Sequence, residues 1–137
     1  MQEGICKLFT DGACRGNPGA GGAGAVLLDD RGQVIWQGNE YLELCTNNIA
    51  EYRALILGLK AARERGCRNL EICMDSELLV RQINGSYKVK NDNLKKLMKE
   101  VRALLAGFDS ASVKHVPRAQ NAKADCLANM AIDGKKI

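Results

Sequence analysis

Four acidic residues stand where a predicted strand ends or a predicted helix begins. They are Asp11, Glu51, Asp75 and Asp125. Asp11 and Asp75 each follow an apolar run typical of a strand, and we expect these two strands to lie side by side. Carboxylates held close together in a partly buried place raise each other's pKa, and a cation stabilises their ionised form. The combination therefore predicts a cation site.

The donor atoms indicate which cation this site prefers. Carboxylate oxygens without clustered histidines or cysteines favour a hard ion such as Mg²⁺ or Mn²⁺. Two such ions held about 4 Å apart can activate a water and stabilise the leaving oxygen during phosphodiester cleavage. Taken one at a time, however, each acid also has a structural explanation. Glu51 stands three residues after Asn48, close to a capping box, and the other three suit a turn or a helix start.

The six cysteines are scattered along the chain and form no Cys-x-x-Cys pair. This spacing indicates neither a zinc site nor a redox dithiol, and we expect most of the cysteines to be small buried hydrophobes. A disulfide remains an alternative, but the sequence selects no pairing.

The elements that position the acids follow from the hydrophobic pattern. Apolar runs at 5–9 and 23–28, separated by a Gly-rich segment, predict a hairpin with a long loop, and a third antiparallel strand follows. Helical spacing of apolar residues predicts a long amphipathic helix over 48–65. The elements after this helix are a strand at 69–75, a helix opening at Ser76, a basic helix at 93–106, a strand at 110–116 and a helix at 121–131. Because strands alternate with helices in this part of the chain, we expect an α/β domain with a five-stranded mixed sheet flanked by helices.

Length and charge narrow the class of protein. The chain of 137 residues is the size of one ordinary domain, so we expect 1–137 to form a single domain. The net charge of +4 arises between residues 81 and 102, where seven basic residues outnumber two acidic ones. This segment favours binding to a polyanion, and a solvated helix face is the alternative. With no apolar run long enough to span a bilayer and no secretory pattern at its start, the protein is expected in the cytoplasm without a membrane partner.

Four segments carry the acids: FTDGACRGNPGAGGAGAVL, TNNIAEYRALILGL, MDSELLVRQINGSYKVKN and HVPRAQNAKADCLAN. In order, spacing and context they resemble the ribonuclease H type 1 family over nearly the whole chain. The resemblance implies a ribonuclease H-like fold and an endonuclease that hydrolyses the RNA strand of RNA–DNA hybrids with two ions, Mg²⁺ or Mn²⁺. It also implies a monomer, with duplex RNA as a further candidate substrate.

The resemblance assigns a role to each acid. Asp11 would bridge both ions. Glu51 and Asp75 would flank one ion and orient the nucleophilic water. Asp125 would complete the other ion's site near the leaving group.

The resemblance also assigns substrate contacts. Asn17, Asn47 and Asn48 match positions that read the ribose 2′-hydroxyl or the minor-groove edge, and this hydroxyl distinguishes RNA from DNA. Thr46 resembles the family's contact to a DNA-strand phosphate, with Asn91 as its partner, and Thr46 to Asn48 are expected to cap a helix as well. The Gly-rich loop is expected to belong to the binding surface, because glycine lets the backbone approach a groove closely.

The chain departs from many relatives near its last acid. Only seven residues separate Pro117 from Asp125, where those relatives have a longer loop with a histidine. Arg118, inside this short loop, is expected to meet a phosphate. His115, the only histidine, is interpreted as structural. The pattern resembles the short-loop branch of the family found in archaea and some bacteria.

A second departure is the short connector before the basic helix, which leaves no room for the basic protrusion of some relatives. Hybrid binding is then expected to rest on lysines in and after this connector. They are Lys88, Lys90, Lys95, Lys96 and Lys99. Two alternatives remain: a catalytically weak or inactive nucleic-acid-binding module of the same fold, and a related nuclease that acts on DNA junctions.

Overall fold

A computed structural model describes residues 4–85 and 88–135. The strands are β1 (Ile5–Gly16), β2 (Gly19–Leu28), β3 (Val34–Cys45), β4 (Asn69–Met74) and β5 (Ser110–His115). The helices are α1 (Asn47–Glu64), α2 (Glu77–Ile83), α3 (Asp92–Leu105) and α4 (Ala122–Lys135), and a short 3₁₀ helix (Arg118–Asn121) precedes α4. This order confirms the prediction of an initial meander followed by alternating helices and strands.

The strands form one mixed sheet in the order β3-β2-β1-β4-β5. The first three strands are antiparallel, whereas β4 runs parallel to both β1 and β5. Phe9 of β1 is aligned with Cys73 of β4. Continuing this register by two residues brings Asp11 level with Asp75, as the sequence predicts.

Helices cover both faces of the sheet. Gly58 of α1 lies against Leu8 of β1, and Leu8 is aligned with Leu27 of β2. Gly22 and Gly24 of β2 lie instead beneath α4. Because side chains alternate along a strand, α1 and α4 occupy opposite faces. The core between the sheet, α1 and α3 is built from buried side chains that include Leu8, Leu27, Leu55, Leu59, Ile72 and Val101.

The hairpin differs from the predicted long loop. β1 continues to Gly16 and β2 begins at Gly19, which leaves a two-residue turn. Asp11 therefore lies inside β1, not at its end. The expectation that the glycines form a loop in the binding surface is wrong for most of them, because they belong to paired strands.

Close packing explains these strand glycines. A Cβ at Gly22 would collide with the carbonyl oxygen of Ala128, and one at Gly24 with that of Ala124. Glycine at these positions lets α4 approach the sheet closely enough to bring its first turn beside Asp11.

The ends of the other predicted elements differ from the observed ends by at most four residues. The long helix begins at Asn47 and is followed by Gly66, whose φ of 78° is in the left-handed region. The connector before α3 falls partly on residues 86 and 87, which lie outside the described residues. Over the part of the chain that the structure describes, no helix combines the length and apolarity needed to cross a membrane.

Candidate active site

Four different elements deliver the predicted acids to one cavity. Asp11 lies in the middle of β1, Glu51 in α1, Asp75 directly after β4, and Asp125 in the first turn of α4. All four line a cavity of about 620 Å³. The structure therefore brings together every acid that the sequence singled out.

The acids are close enough to share a cation. One carboxylate oxygen from each of Asp11, Glu51 and Asp75 lies within 4.8 Å of the other two. Asp125 lies close enough to Asp11 to help raise its pKa, and both residues line the same cavity. Asp11 is the most enclosed of the four, with 5% of its surface exposed. An all-carboxylate donor set of this kind fits a hard divalent ion.

The same crowding favours the protonated forms of Asp11 and Glu51 when no cation is bound. Burial, with the nearby charge of Glu51 and a hydrogen bond to it as further causes, raises the pKa of Asp11 to about 9. Burial also raises the pKa of Glu51 to about 7, although the hydrogen bonds it accepts act in the opposite direction. A bound cation would replace these protons, because it compensates the negative charges directly.

Glu51 is held by the backbone of β1 and not by a capping box. The amide of Gly12 donates to Glu51 Oε1 at 2.5 Å. The N-cap of α1 is Thr46, whose hydroxyl accepts from the amide of Ile49 at 3.3 Å. Gly12 has no room for a Cβ because the backbone of Ala50 lies against it. The capping-box explanation of Glu51 is therefore wrong, and α1 instead packs close enough for the carboxylate to reach the strand.

Asn129 is a site residue that the sequence analysis missed. Its Nδ2 donates to the backbone oxygen of Asp125 at 3.0 Å and to Asp125 Oδ1 at 3.2 Å. Its Oδ1 accepts from Arg15 at 3.0 Å, and Arg15 also pairs with Asp133 at 2.9 Å. Asn129 thus fixes the carboxylate of Asp125. The available signal was its spacing of four residues, which places both side chains on one helix face.

This arrangement gives a testable prediction. We expect Asn129→Ala to weaken divalent-ion binding by about 10- to 100-fold, because removing the partner of a ligand leaves that ligand poorly oriented. Calorimetric titration with Mn²⁺ measures the effect. Met130→Ala, an exposed neighbour on α4, is the control and should leave the affinity unchanged. Equal affinities for both variants would show that Asn129 does not position Asp125.

Arg118 and His115 line the same cavity as the acids. Arg118 is exposed and opens the 3₁₀ helix before α4. His115 is aligned with Met74, the residue before Asp75, and it is also exposed. Its interpretation as a purely structural residue does not explain an exposed imidazole beside the acids.

The predicted substrate-contacting residues meet where the hairpin turn approaches the N-termini of α1 and α3. Asn17 accepts a hydrogen bond from the amide of Asn47 at 3.1 Å, which fixes the turn against α1. Asn47 lines the cavity of the acids. A separate cavity of about 350 Å³ is lined by Asn17, Thr46, Asn48, Ile49, Asn91, Asn93 and Leu94. Thr46 and Asn91 share this cavity, so their predicted pairing is compatible with the structure.

The lysines of the basic segment point away from the core. Lys88 and Lys90 are exposed in the irregular stretch before α3. Along α3 the buried positions include Leu94, Met98 and Val101. Exposed basic side chains occupy the other face of this helix at Lys95, Lys96, Lys99 and Arg102.

Comparison with known proteins shows which family the chain belongs to. A family model described as "Reverse transcriptase-like" matches residues 9–131. Ribonuclease HI of Halobacterium salinarum is 42% identical over 130 residues, which are 95% of this chain and 65% of the relative. The chain therefore spans somewhat less than two thirds of that relative's length.

Two solved structures are similar over nearly their whole length. The crystal structure of RNase H1 from the halophilic archaeon H. salinarum has a TM-score of 0.93 and 41% identity, covering 96% of this chain and 99% of that one. LC11-RNase H1, solved in complex with an RNA/DNA hybrid, has a TM-score of 0.91 and 38% identity with the same coverage. With its five-stranded mixed sheet and its clustered acids, the chain belongs to the ribonuclease H type 1 family.

Proposed function

We propose that this protein is an endonuclease that hydrolyses the RNA strand of RNA–DNA hybrids. The observation that carries the proposal is the convergence of four acids, from four separate elements, on one cavity. A purely structural role does not explain why four carboxylates lie together, because like charges in a buried place destabilise the fold. The solved hybrid complex of a family member supports the substrate class.

The donor set fits divalent ions, and members of this family depend on them. We propose two ions, Mg²⁺ or Mn²⁺, with Asp11 placed to contact both and with Glu51 and Asp75 beside one of them. Asp125, oriented by Asn129, would hold the other. When bound, such ions supply an activated water and stabilise the leaving oxygen. The chain itself contributes the fixed orientation of the carboxylates, since α1, β4 and α4 each pack against β1.

Recognition of the hybrid is proposed to use the polar residues around the hairpin turn. Asn17, Asn47 and Asn48 present amide groups that can exchange hydrogen bonds with ribose 2′-hydroxyls. Thr46 and Asn91, in the smaller cavity, are suited to a DNA-strand phosphate. Arg118 would bind a phosphate of the RNA strand beside the acids, since its guanidinium can form two parallel hydrogen bonds.

The remaining features of the proposal concern the state of the protein. We propose that 1–137 acts as a single catalytic domain and as a monomer in the cytoplasm. Duplex RNA is proposed as a secondary substrate. Size-exclusion chromatography with light scattering tests the monomer.

A panel of labelled substrates tests the proposed function. It contains an RNA–DNA hybrid, duplex RNA, duplex DNA and a four-way DNA junction of matched sequence, each assayed with Mg²⁺ and with Mn²⁺. We expect internal cuts in the RNA strand of the hybrid. Binding of the hybrid without cleavage in either metal would favour the inactive nucleic-acid-binding module, and cleavage of the junction alone would favour the DNA nuclease.

The basic face of α3 gives a prediction of its own. Replacing Lys95, Lys96 and Lys99 together by Gln should raise the apparent KM by about 10-fold and flatten its salt dependence, with little change in kcat, because each lost phosphate contact lowers the salt slope by about 0.7–0.9. Initial rates at several NaCl concentrations measure both effects.

A matched control separates local contacts from net charge. Replacing the exposed residues Arg63, Arg65 and Arg68 by Gln removes the same number of positive charges near the C-terminus of α1. If this control raises the KM as much as the lysine variant does, the basic face of α3 is not the binding surface.

A further inference from the structure

Two thiols meet far from the acids. Cys6 is the second residue of β1, and Cys67 lies in the turn between α1 and β4. The sulfur atoms Cys6 Sγ and Cys67 Sγ are 2.8 Å apart. The sequence contains no Cys-x-x-Cys pair, and 61 positions separate these two residues, so only the fold brings them together.

Regular structure holds both cysteines in place. Ile5, the residue before Cys6 in β1, is aligned with Asn69 of β4 in a parallel pairing. The amide of Cys67 donates to the carbonyl oxygen of Ala62 at 3.1 Å, which fixes the turn after α1. A disulfide needs sulfur atoms about 2.05 Å apart. The two thiols therefore need less than 1 Å of further approach, which side-chain rotation can supply.

A structural metal site explains this pair less well. Zinc in a structural site takes four ligands, usually cysteines and histidines. Among residues 4–85 and 88–135, three or more potential metal ligands come together in the acid cluster of Asp11, Glu51 and Asp75, which does not include the two cysteines. The cysteine pair offers only two donors, which is the number that a disulfide uses.

A small reagent can reach the pair. Cys6 and Cys67 line a surface cavity of about 160 Å³. Both residues are half-buried, and charged side chains of both signs surround the same cavity, namely Asp29, Asp30, Arg65 and Arg68. A polar low-molecular-weight disulfide is suited to such a rim.

We propose that Cys6 and Cys67 form a reversible disulfide that links β1 to the start of β4. One thiolate attacks a low-molecular-weight disulfide and releases one equivalent of thiol, which leaves a mixed disulfide on the protein. The second cysteine then attacks this mixed disulfide and releases a second equivalent of thiol. The protein dithiol is oxidised by two electrons, and the reagent disulfide is reduced to two thiols.

The link stabilises the fold without blocking the acid cavity. It joins β1, which carries Asp11, to the turn that leads into β4, and it closes a long loop of the unfolded chain. For a chain of this size we expect Tm to rise by about 5–15 °C. Cys6 precedes Asp11 by five strand residues, or about 16 Å. We therefore expect the cleavage rate at 25 °C to be unchanged within about twofold.

The test compares the protein incubated with oxidised glutathione and with a reducing agent. Peptide mapping without reduction should identify the Cys6–Cys67 link, and the oxidised protein should have the higher Tm. Cys6→Ser and Cys67→Ser should each abolish the difference in Tm. Cys126→Ser, which removes an exposed cysteine outside the pair, should retain it.

A rival pair lies beside the active site, where the Cys14 thiol donates to the backbone oxygen of Cys45 at 3.0 Å. Burial raises the pKa of the Cys45 thiol to about 11, which disfavours its thiolate. A mapped Cys14–Cys45 link in place of Cys6–Cys67 would overturn the proposal. The absence of any link, or an equal Tm for the oxidised and reduced protein, would overturn it as well. None of these outcomes depends on the proposed nuclease activity.

Discussion

Asp11→Asn is expected to lower the rate of RNA-strand cleavage by about 10³-fold or more in saturating Mg²⁺. Asp11 is the acid at the centre of the cluster, and it is the one proposed to contact both ions. An amide has nearly the same size but no negative charge, so the variant loses several kcal/mol of the stabilisation that a divalent ion gives the reaction. Single-turnover cleavage of a labelled hybrid measures the loss.

The control for this substitution is Asp109→Asn, which makes the same chemical change at an exposed position away from the acids. It should cleave like the unsubstituted protein. Circular dichroism should show that both variants are folded. Cleavage by Asp11→Asn within tenfold of the unsubstituted rate would remove Asp11 from the centre of the mechanism.

The same substitution is expected to stabilise the metal-free protein. Folding raises the pKa of Asp11 from 3.8 to about 9, so the unfolded chain releases this proton at lower pH than the folded one. Below pH 3.8 both states hold the proton and no stability is lost. Between these two values the free energy of unfolding falls by about 1.4 kcal/mol for each pH unit, because the unfolded state binds fewer protons.

An asparagine at this position removes the penalty, since its amide is neutral at every pH and can still donate a hydrogen bond to Glu51. At pH 7 in EDTA we expect Asp11→Asn to be more stable by about 2–4 kcal/mol. At pH 4 the two proteins should differ by less than about 1 kcal/mol. Urea denaturation across this pH range measures the difference.

Saturating Mg²⁺ should reverse the order of stability, because the ion binds the unsubstituted acids more tightly than it binds the variant. A stability difference that does not change with pH would show that Asp11 is not protonated in the metal-free fold.

The sequence predicted the elements whose signals are local. The apolar spacing from Ile49 to Leu59 specifies α1, and the parallel approach of β1 and β4 follows from alternating strands and helices. The grouping of the four acids was predicted for the same reason, since each stands at or near an end of a predicted element. Their spatial order follows from the sheet topology, which strand order along the chain already restricts.

Other features depend on contacts between distant residues. A run of glycines can form a loop, or it can lie in a strand beneath a helix, as Gly22 and Gly24 do. The sequence pattern is the same in both cases. The hydrogen bond from Gly12 to Glu51 exists only because α1 packs closely on β1. The meeting of Cys6 with Cys67 likewise requires the parallel pairing of β1 and β4.

His115 shows how a local rule can miss the position of a residue at the candidate site. A histidine at a strand end is most often structural, and the short loop before α4 made Arg118 the more natural partner of a phosphate. The parallel pairing of β4 and β5 nevertheless places His115 opposite Met74, the residue before Asp75. His115 and Arg118 both line the cavity, so each is available to contact the RNA strand.

The central claim is that Asp11, Glu51, Asp75 and Asp125 together bind the ions that support cleavage. Anomalous diffraction from crystals of the protein with Mn²⁺ and a cleavage-resistant RNA–DNA hybrid tests it most directly. Two manganese peaks are expected inside the cavity, with oxygens of all four carboxylates among the ligands. Peaks only at other positions, or an empty cavity at saturating Mn²⁺, would contradict it.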